Sequence, residues 1–129
     1  MKEVSDGELC KVIKDFLEMG HMDNIVAMFD RDCRYFHWTG DILDDDRFAV
    51  RLGVSVLFEE LLARGNSSMH LAVPSLAALL SSENPLVRGE ALSVLAIIND
   101  PGLGAQALAM LDDSDPQVRE IAEDIVKSL

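Results

Sequence analysis

Apolar and polar positions follow a helical period over most of the chain, most clearly at its end. In residues 116–129, PQVREIAEDIVKSL, the apolar Val118, Ile121, Ala122, Ile125 and Leu129 recur at spacings of three and four. Gln117, Glu120, Glu123, Asp124 and Lys127 fall outside that stripe, so the segment predicts an amphipathic helix. At the other end, Ser5 or Asp6 reads as a cap, with Leu9, Val12, Ile13, Phe16 and Leu17 on one face of a helix that Gly20 ends. Asp23 is expected to cap a short second helix over 24–29, and a third helix is expected over 33–43. Further helices are expected over 46–63, 69–82, 85–98, 104–111 and 116–128, each bounded by Gly, Pro, Ser or Asp, with 64–68 as the longest loop. No segment alternates convincingly as a strand, so the predicted fold class is all-α.

The pattern also repeats. Residues 78–98 laid over 109–129 agree at a register of 31, with Leu80 on Leu111, Pro85 on Pro116, Val87 on Val118, Arg88 on Arg119, Ala91 on Ala122 and Leu95 on Val126. An offset of 37 brings residues 41–61 into the same frame, with Val50 on Val87, Arg51 on Arg88 and Val54 on Ala91, although Phe48 stands where the other two units carry proline. In each clean unit an apolar helix ends in a polar turn, and Asn84 or Asp115 is placed to cap the next helix. Pro85 or Pro116 then occupies the first helical position, where its missing N–H costs nothing. A hairpin of two such helices cannot bury its stripe alone, and units of this length stack into an α-solenoid.

The frame of Asp or Asn, Pro, any residue, Val, Arg, then Ala three beyond the Arg, resembles HEAT repeats of the short variety associated with phycobilisome lyases. Asn84, Pro85, Val87, Arg88 and Ala91 match it, as do Asp115, Pro116, Val118, Arg119 and Ala122. The resemblance implies a short right-handed solenoid, with the first helix of each hairpin on the convex side and the second lining the concave side. It further implies that Arg51, Arg88 and Arg119 pair with acids in the turns as a structural ladder. Residues 1–40 form no clean unit and are expected to be a helical cap on a single domain whose repeats occupy 41–129. The last helix replaces Gly89, Leu92, Ser93 and Ala96 of its neighbour with Glu120, Glu123, Asp124 and Lys127, which reads as a polar C-terminal cap on an array expected to be complete.

Charge narrows the partners. With 23 acids against 11 bases the chain carries a net charge of −12, a surface that repels phosphates, so nucleic acid and anionic membrane are not expected partners. A basic protein surface would be steered in by the same field. At 129 residues, 49% of them apolar, the chain is long enough for one core. An acidic N-terminus and the lack of a long apolar run predict a cytoplasmic protein, and the two widely spaced cysteines, Cys10 and Cys33, are expected to be reduced.

Two surfaces stand out as candidates for binding. Under the implied geometry Leu52, Val56, Gly89, Ser93 and Ala96 lie toward the concave side, where small and apolar side chains leave room for a partner segment. The run Arg34 to Trp38 and nearby Phe29 concentrate aromatics with an arginine, the residue types of binding hot spots; Phe36 is expected in the core, with Tyr35, His37 and Trp38 as partner contacts. The run Asp41, Asp44, Asp45 and Asp46 lacks the alternation and turn glycine of a calcium loop and is expected to be a solvated turn that caps a helix. His21, His37 and His70 share no ligand spacing, so neither a metal nor a cofactor is expected. No phosphate loop or nucleophile elbow occurs, and Cys33 with His37, four residues apart, is the nearest approach to a nucleophile and base. The chain is therefore expected to be a protein-interaction scaffold and not an enzyme, with a lyase-like, chromophore-handling protein as the alternative. Homodimerisation is one way an apolar groove could be covered.

Overall fold

The computed structural model describes residues 4–129. It comprises eight α-helices among the described residues: α1 (Asp6–Glu18), α2 (Met22–Arg31), α3 (Thr39–Leu43), α4 (Phe48–Ala63), α5 (Val73–Ala78), α6 (Pro85–Ile98), α7 (Leu103–Ala109) and α8 (Pro116–Ser128). Short 3₁₀ turns at Cys33–Trp38, Met69–Ala72 and Leu79–Ser81 extend α3 and α5. No strand is present among the described residues.

Local chemistry sets the ends. The Ser5 hydroxyl accepts the Glu8 N–H at 3.1 Å to start α1, and Gly20, at φ +80°, closes it in the left-handed conformation that a side chain resists. Asn84 accepts the Leu86 N–H at 2.9 Å, and Asp115 accepts those of Gln117 and Val118 at 3.0 and 3.1 Å. These are the caps expected for α6 and α8. Two expected caps are absent: α2 begins at Met22 ahead of Asp23, and the residue before α4 is Arg47, with no side-chain cap bond at either helix. Within the acidic run, Asp45 turns its carboxylate to Arg47 instead.

The expected single helix over 33–43 is split. Asp32 caps the Arg34 N–H at 3.0 Å and the Thr39 hydroxyl donates to the Phe36 carbonyl at 2.8 Å, which holds residues 33–38 in the tighter 3₁₀ winding before α3 starts. Likewise the expected helix 69–82 is a 3₁₀–α–3₁₀ succession with Pro74 at the start of α5, where a missing N–H interrupts nothing.

The second helices stack in series, α4 on α6 and α6 on α8, and α1 packs on the other side of α4. Residues 33–43 pack in turn against 69–78, forming the layer of first helices. Gly40 makes this possible, because a Cβ there would collide with the Ser75 carbonyl, and its N–H donates to the Ser75 hydroxyl oxygen at 3.0 Å. One contiguous core runs from Ile13 and Leu17 through Val54, Phe58, Leu76 and Leu95 to Val118 and Ile125. At its N-terminal end Phe29, Phe36 and Phe58 form an edge-to-face chain with ring centroids 5.0 and 5.9 Å apart.

The N-terminal segment is more regular than its sequence suggests. An offset of 37 places Ile13 on Val50, Lys14 on Arg51 and Leu17 on Val54, and α1 lies against α4 as α4 lies against α6. It occupies the place of a preceding second helix.

Candidate interaction surface

The arginines define the repeat from inside. Arg51 Nη1 donates to the Asp45 carbonyl at 2.8 Å, Arg88 Nη1 to the Ser82 carbonyl at 2.9 Å and Arg119 Nη1 to the Asp113 carbonyl at 2.7 Å. Each reaches six residues back, into the turn that precedes its own helix. Pairing with turn acids was expected at all three and occurs at one: Arg88 also grips the Asp113 carboxylate through Nε and Nη2 at 3.0 and 2.9 Å. That fork holds the Asp113 carboxyl below the usual carboxylate range. At Arg51 the corresponding turn position across the stack is Ser82, which has no charge to offer, and Arg51, 5% exposed, has the Asp45 carbonyl as its one hydrogen-bond partner among the described residues. Arg119 has the Asp113 carbonyl, and no carboxylate, as its hydrogen-bond partner among the described residues. Lys14, in the Arg51 position of α1, reaches Asp45 at 3.4 Å. Hydrogen bonds from Arg47, above all, lower the Asp45 pKa. Arg47 also reaches Asp15 and Glu18 at 3.0 and 3.2 Å, tying the acidic turn to α1.

On the outer side of the second helices the exposed residues are apolar chiefly on α4. Phe48 is 63% exposed, Leu52 45% and Val56 38%. Spaced by four, they form one ridge along the helix, with Leu86 of α6 also exposed. Leu52 and Val56, two of the expected contacts, offer their side chains to solvent. Gly89 does not: it is buried, and a Cβ there would stand 3.3 Å from Ile121 Cδ1 and 3.8 Å from Val118 Cγ2. Its smallness lets α6 and α8 approach, so it is a packing residue and offers a partner little surface. Ser93 is half-buried, with its hydroxyl donating to the Gly89 carbonyl at 3.0 Å. Ala96 is half-buried in a recess shared with Leu103, Ile125 and Leu129, some distance along the helix from the ridge. Pro85 and Pro116 begin α6 and α8 as expected. Phe48 escaped selection as a site residue although the sequence marked it, as the one departure from the repeat proline.

The aromatic end is a second, separate surface. The 3₁₀ winding aligns residues three apart, so Tyr35 and Trp38 meet edge-to-face at 5.2 Å while Phe36 turns into the core. Arg34 lies over both rings, its guanidinium carbon 5.1 Å from the Tyr35 centroid and 5.7 Å from that of Trp38. Asp32 holds it at 3.2 Å. These groups satisfy one another within the chain. His37 is exposed, as is Cys33; at three residues per turn the two lie a third of a turn apart and do not share a face.

A family profile for HEAT repeats matches residues 41–126, about two thirds of the chain. The chain belongs to the HEAT-repeat family. No curated protein and no solved structure matches it. The matched span holds all three HEAT arginines and the α4 ridge, while α1, the further rung, precedes it. HEAT repeats generally serve as protein-interaction scaffolds. No helix of the described residues is long and apolar enough to cross a membrane.

Proposed function

We propose that this HEAT-repeat chain is a non-catalytic protein-interaction module that receives a protein partner on the outer face of its second helices. The carrying observation is the ridge Phe48, Leu52 and Val56. Large apolar side chains aligned on one helix and left to water forgo roughly 25 cal/mol for each Å² that burial would remove from solvent. A partner recovers that free energy. The reading gains support from position 48, where a proline would serve the helix as it does at Pro85 and Pro116.

The test is affinity capture from the native organism with the wild-type chain, with Leu52→Glu and with Tyr35→Ala/Trp38→Ala. A partner retained by wild type and by the aromatic variant, and lost with Leu52→Glu, is the expected result. Loss with the aromatic variant alone would move the site to the 3₁₀ turn, provided thermal unfolding shows that variant folded. A shifted absorption band on incubation with a bilin would overturn the module reading in favour of chromophore handling.

A further inference from the structure

The outer face of the second helices is graded in character. At the first, fifth and ninth positions, α4 carries Phe48, Leu52 and Val56, α6 carries Pro85, the buried Gly89 and the half-buried Ser93, and α8 carries Pro116, Glu120 and Asp124. The ridge on α4 is thus followed by short side chains on α6 and by a row of acids on α8. Glu120 and Asp124 are exposed. Neither takes part in an ion pair among the described residues. Packed helices lie about 8–10 Å apart, so ridge and acids stand roughly two such spacings apart on either side of α6. A helix with its side chains is about 10–12 Å across. One helix laid along α6 covers the middle of that span, and the remainder is bridged by the ridge side chains leaning in from α4 and by the long stems of its own lysines or arginines reaching toward α8.

Building on the interaction-module reading, we propose that this face receives a basic amphipathic helix of a partner protein, with its apolar side chains on Phe48, Leu52 and Val56 and its lysines or arginines against Glu120 and Asp124. Charge complementarity selects this occupant. A second copy of the chain would bring the same acids and the same net charge of −12 to the face, and like charges brought together across an interface oppose association. A helix with basic residues along one edge turns that repulsion into attraction, and its apolar edge removes the α4 ridge from water.

Two labelled synthetic helices of about 18 residues, sharing one leucine stripe and carrying either lysine or glutamate beside it, test the proposal by fluorescence anisotropy with the full chain. The lysine helix is expected to bind at least about tenfold more tightly, a difference of about 1.4 kcal/mol. Leu52→Glu should weaken it about tenfold or more, in the range of hot-spot losses, and the milder Leu52→Ser should act in the same direction. Glu120→Lys/Asp124→Lys should remove the preference for lysine, whereas the same reversal at the exposed Glu8 and Asp23 of α1 and α2 should leave most of it. Equal loss from both charge reversals would overturn the site, because general attraction to an acidic protein would then explain the binding. A wild-type dimer that Leu52→Glu dissolves would overturn it in favour of a second copy. If neither peptide binds while partner capture still depends on Leu52, the basic-helix inference fails and the module reading stands.

Discussion

Gly40 and Asp113 show how single residues hold this stack together. A methyl group at position 40 has nowhere to go, since the Ser75 carbonyl, part of the backbone, is in its way. Gly40→Ala is therefore expected to destabilise the fold by roughly 1–3 kcal/mol, the usual range for overpacking, read from the midpoint of a urea titration. Asp113 binds the Arg88 fork with its side chain only 9% exposed, and its pKa is lowered on folding. A lowered folded pKa means that the stabilisation is complete above the unfolded carboxylate range, about pH 4, and is lost as pH falls through the folded value. Asp113→Asn should thus cost roughly 1–2 kcal/mol near neutral pH. The gap from wild type should narrow below about pH 4 as the wild-type carboxylate takes up its proton; a gap that stays constant to low pH would contradict the ion pair's role.

Among the elements, the arginine ladder has one missing partner. The Asp113 carboxylate accepts Arg88 from the preceding repeat and also accepts the Asp115 N–H at 2.9 Å, while the Ser82 hydroxyl, its counterpart one repeat earlier, accepts the Asn84 N–H and no arginine among the described residues. Ser82→Asp would reproduce both of those interactions and give the buried Arg51 a charged partner. It is expected to raise stability by about 1 kcal/mol, and the gain should vanish in an Arg51→Met background, as a double-mutant cycle reports. The arginines were expected to find turn acids, and all three take turn carbonyls six residues back. The caps of α1, α6 and α8 and the repeat prolines were legible in the sequence because each depends on neighbours a few residues away. The 3₁₀ winding of 33–38 was not, since its side-chain caps compete with an ordinary helix only marginally. Nor was α1 legible as a further rung: it shares Lys14, Ile13 and Leu17 with the frame but lacks the Asn-Pro or Asp-Pro start that made the other units visible.

For the molecule as a whole, the outer face of the second helices separates binding from folding. Phe48 is 63% and Leu52 45% exposed, so Phe48→Ala should shift folding stability by no more than about 0.5 kcal/mol and Leu52→Ser by about 1 kcal/mol at most in urea melts, while both weaken partner capture. Tyr35→Ala should do the reverse, because it removes the edge-to-face contact with Trp38 and a face for Arg34. A stable Tyr35→Ala protein would show that the aromatic end is not needed for the fold. The sequence by itself determined the helical class, the repeat register and the capped starts of α1, α6 and α8, since periodicity and capping are written into adjacent residues. Tertiary structure decided which small residues face a partner and which face a neighbouring helix, and which carboxylate an arginine finds. Gly89 and Leu52 hold the same place in the repeat, yet one lies beneath Ile121 and the other is open to water. What separates them is the side chain of Ile121 on the next second helix, which closes over Gly89 and is invisible to any reading of adjacent residues.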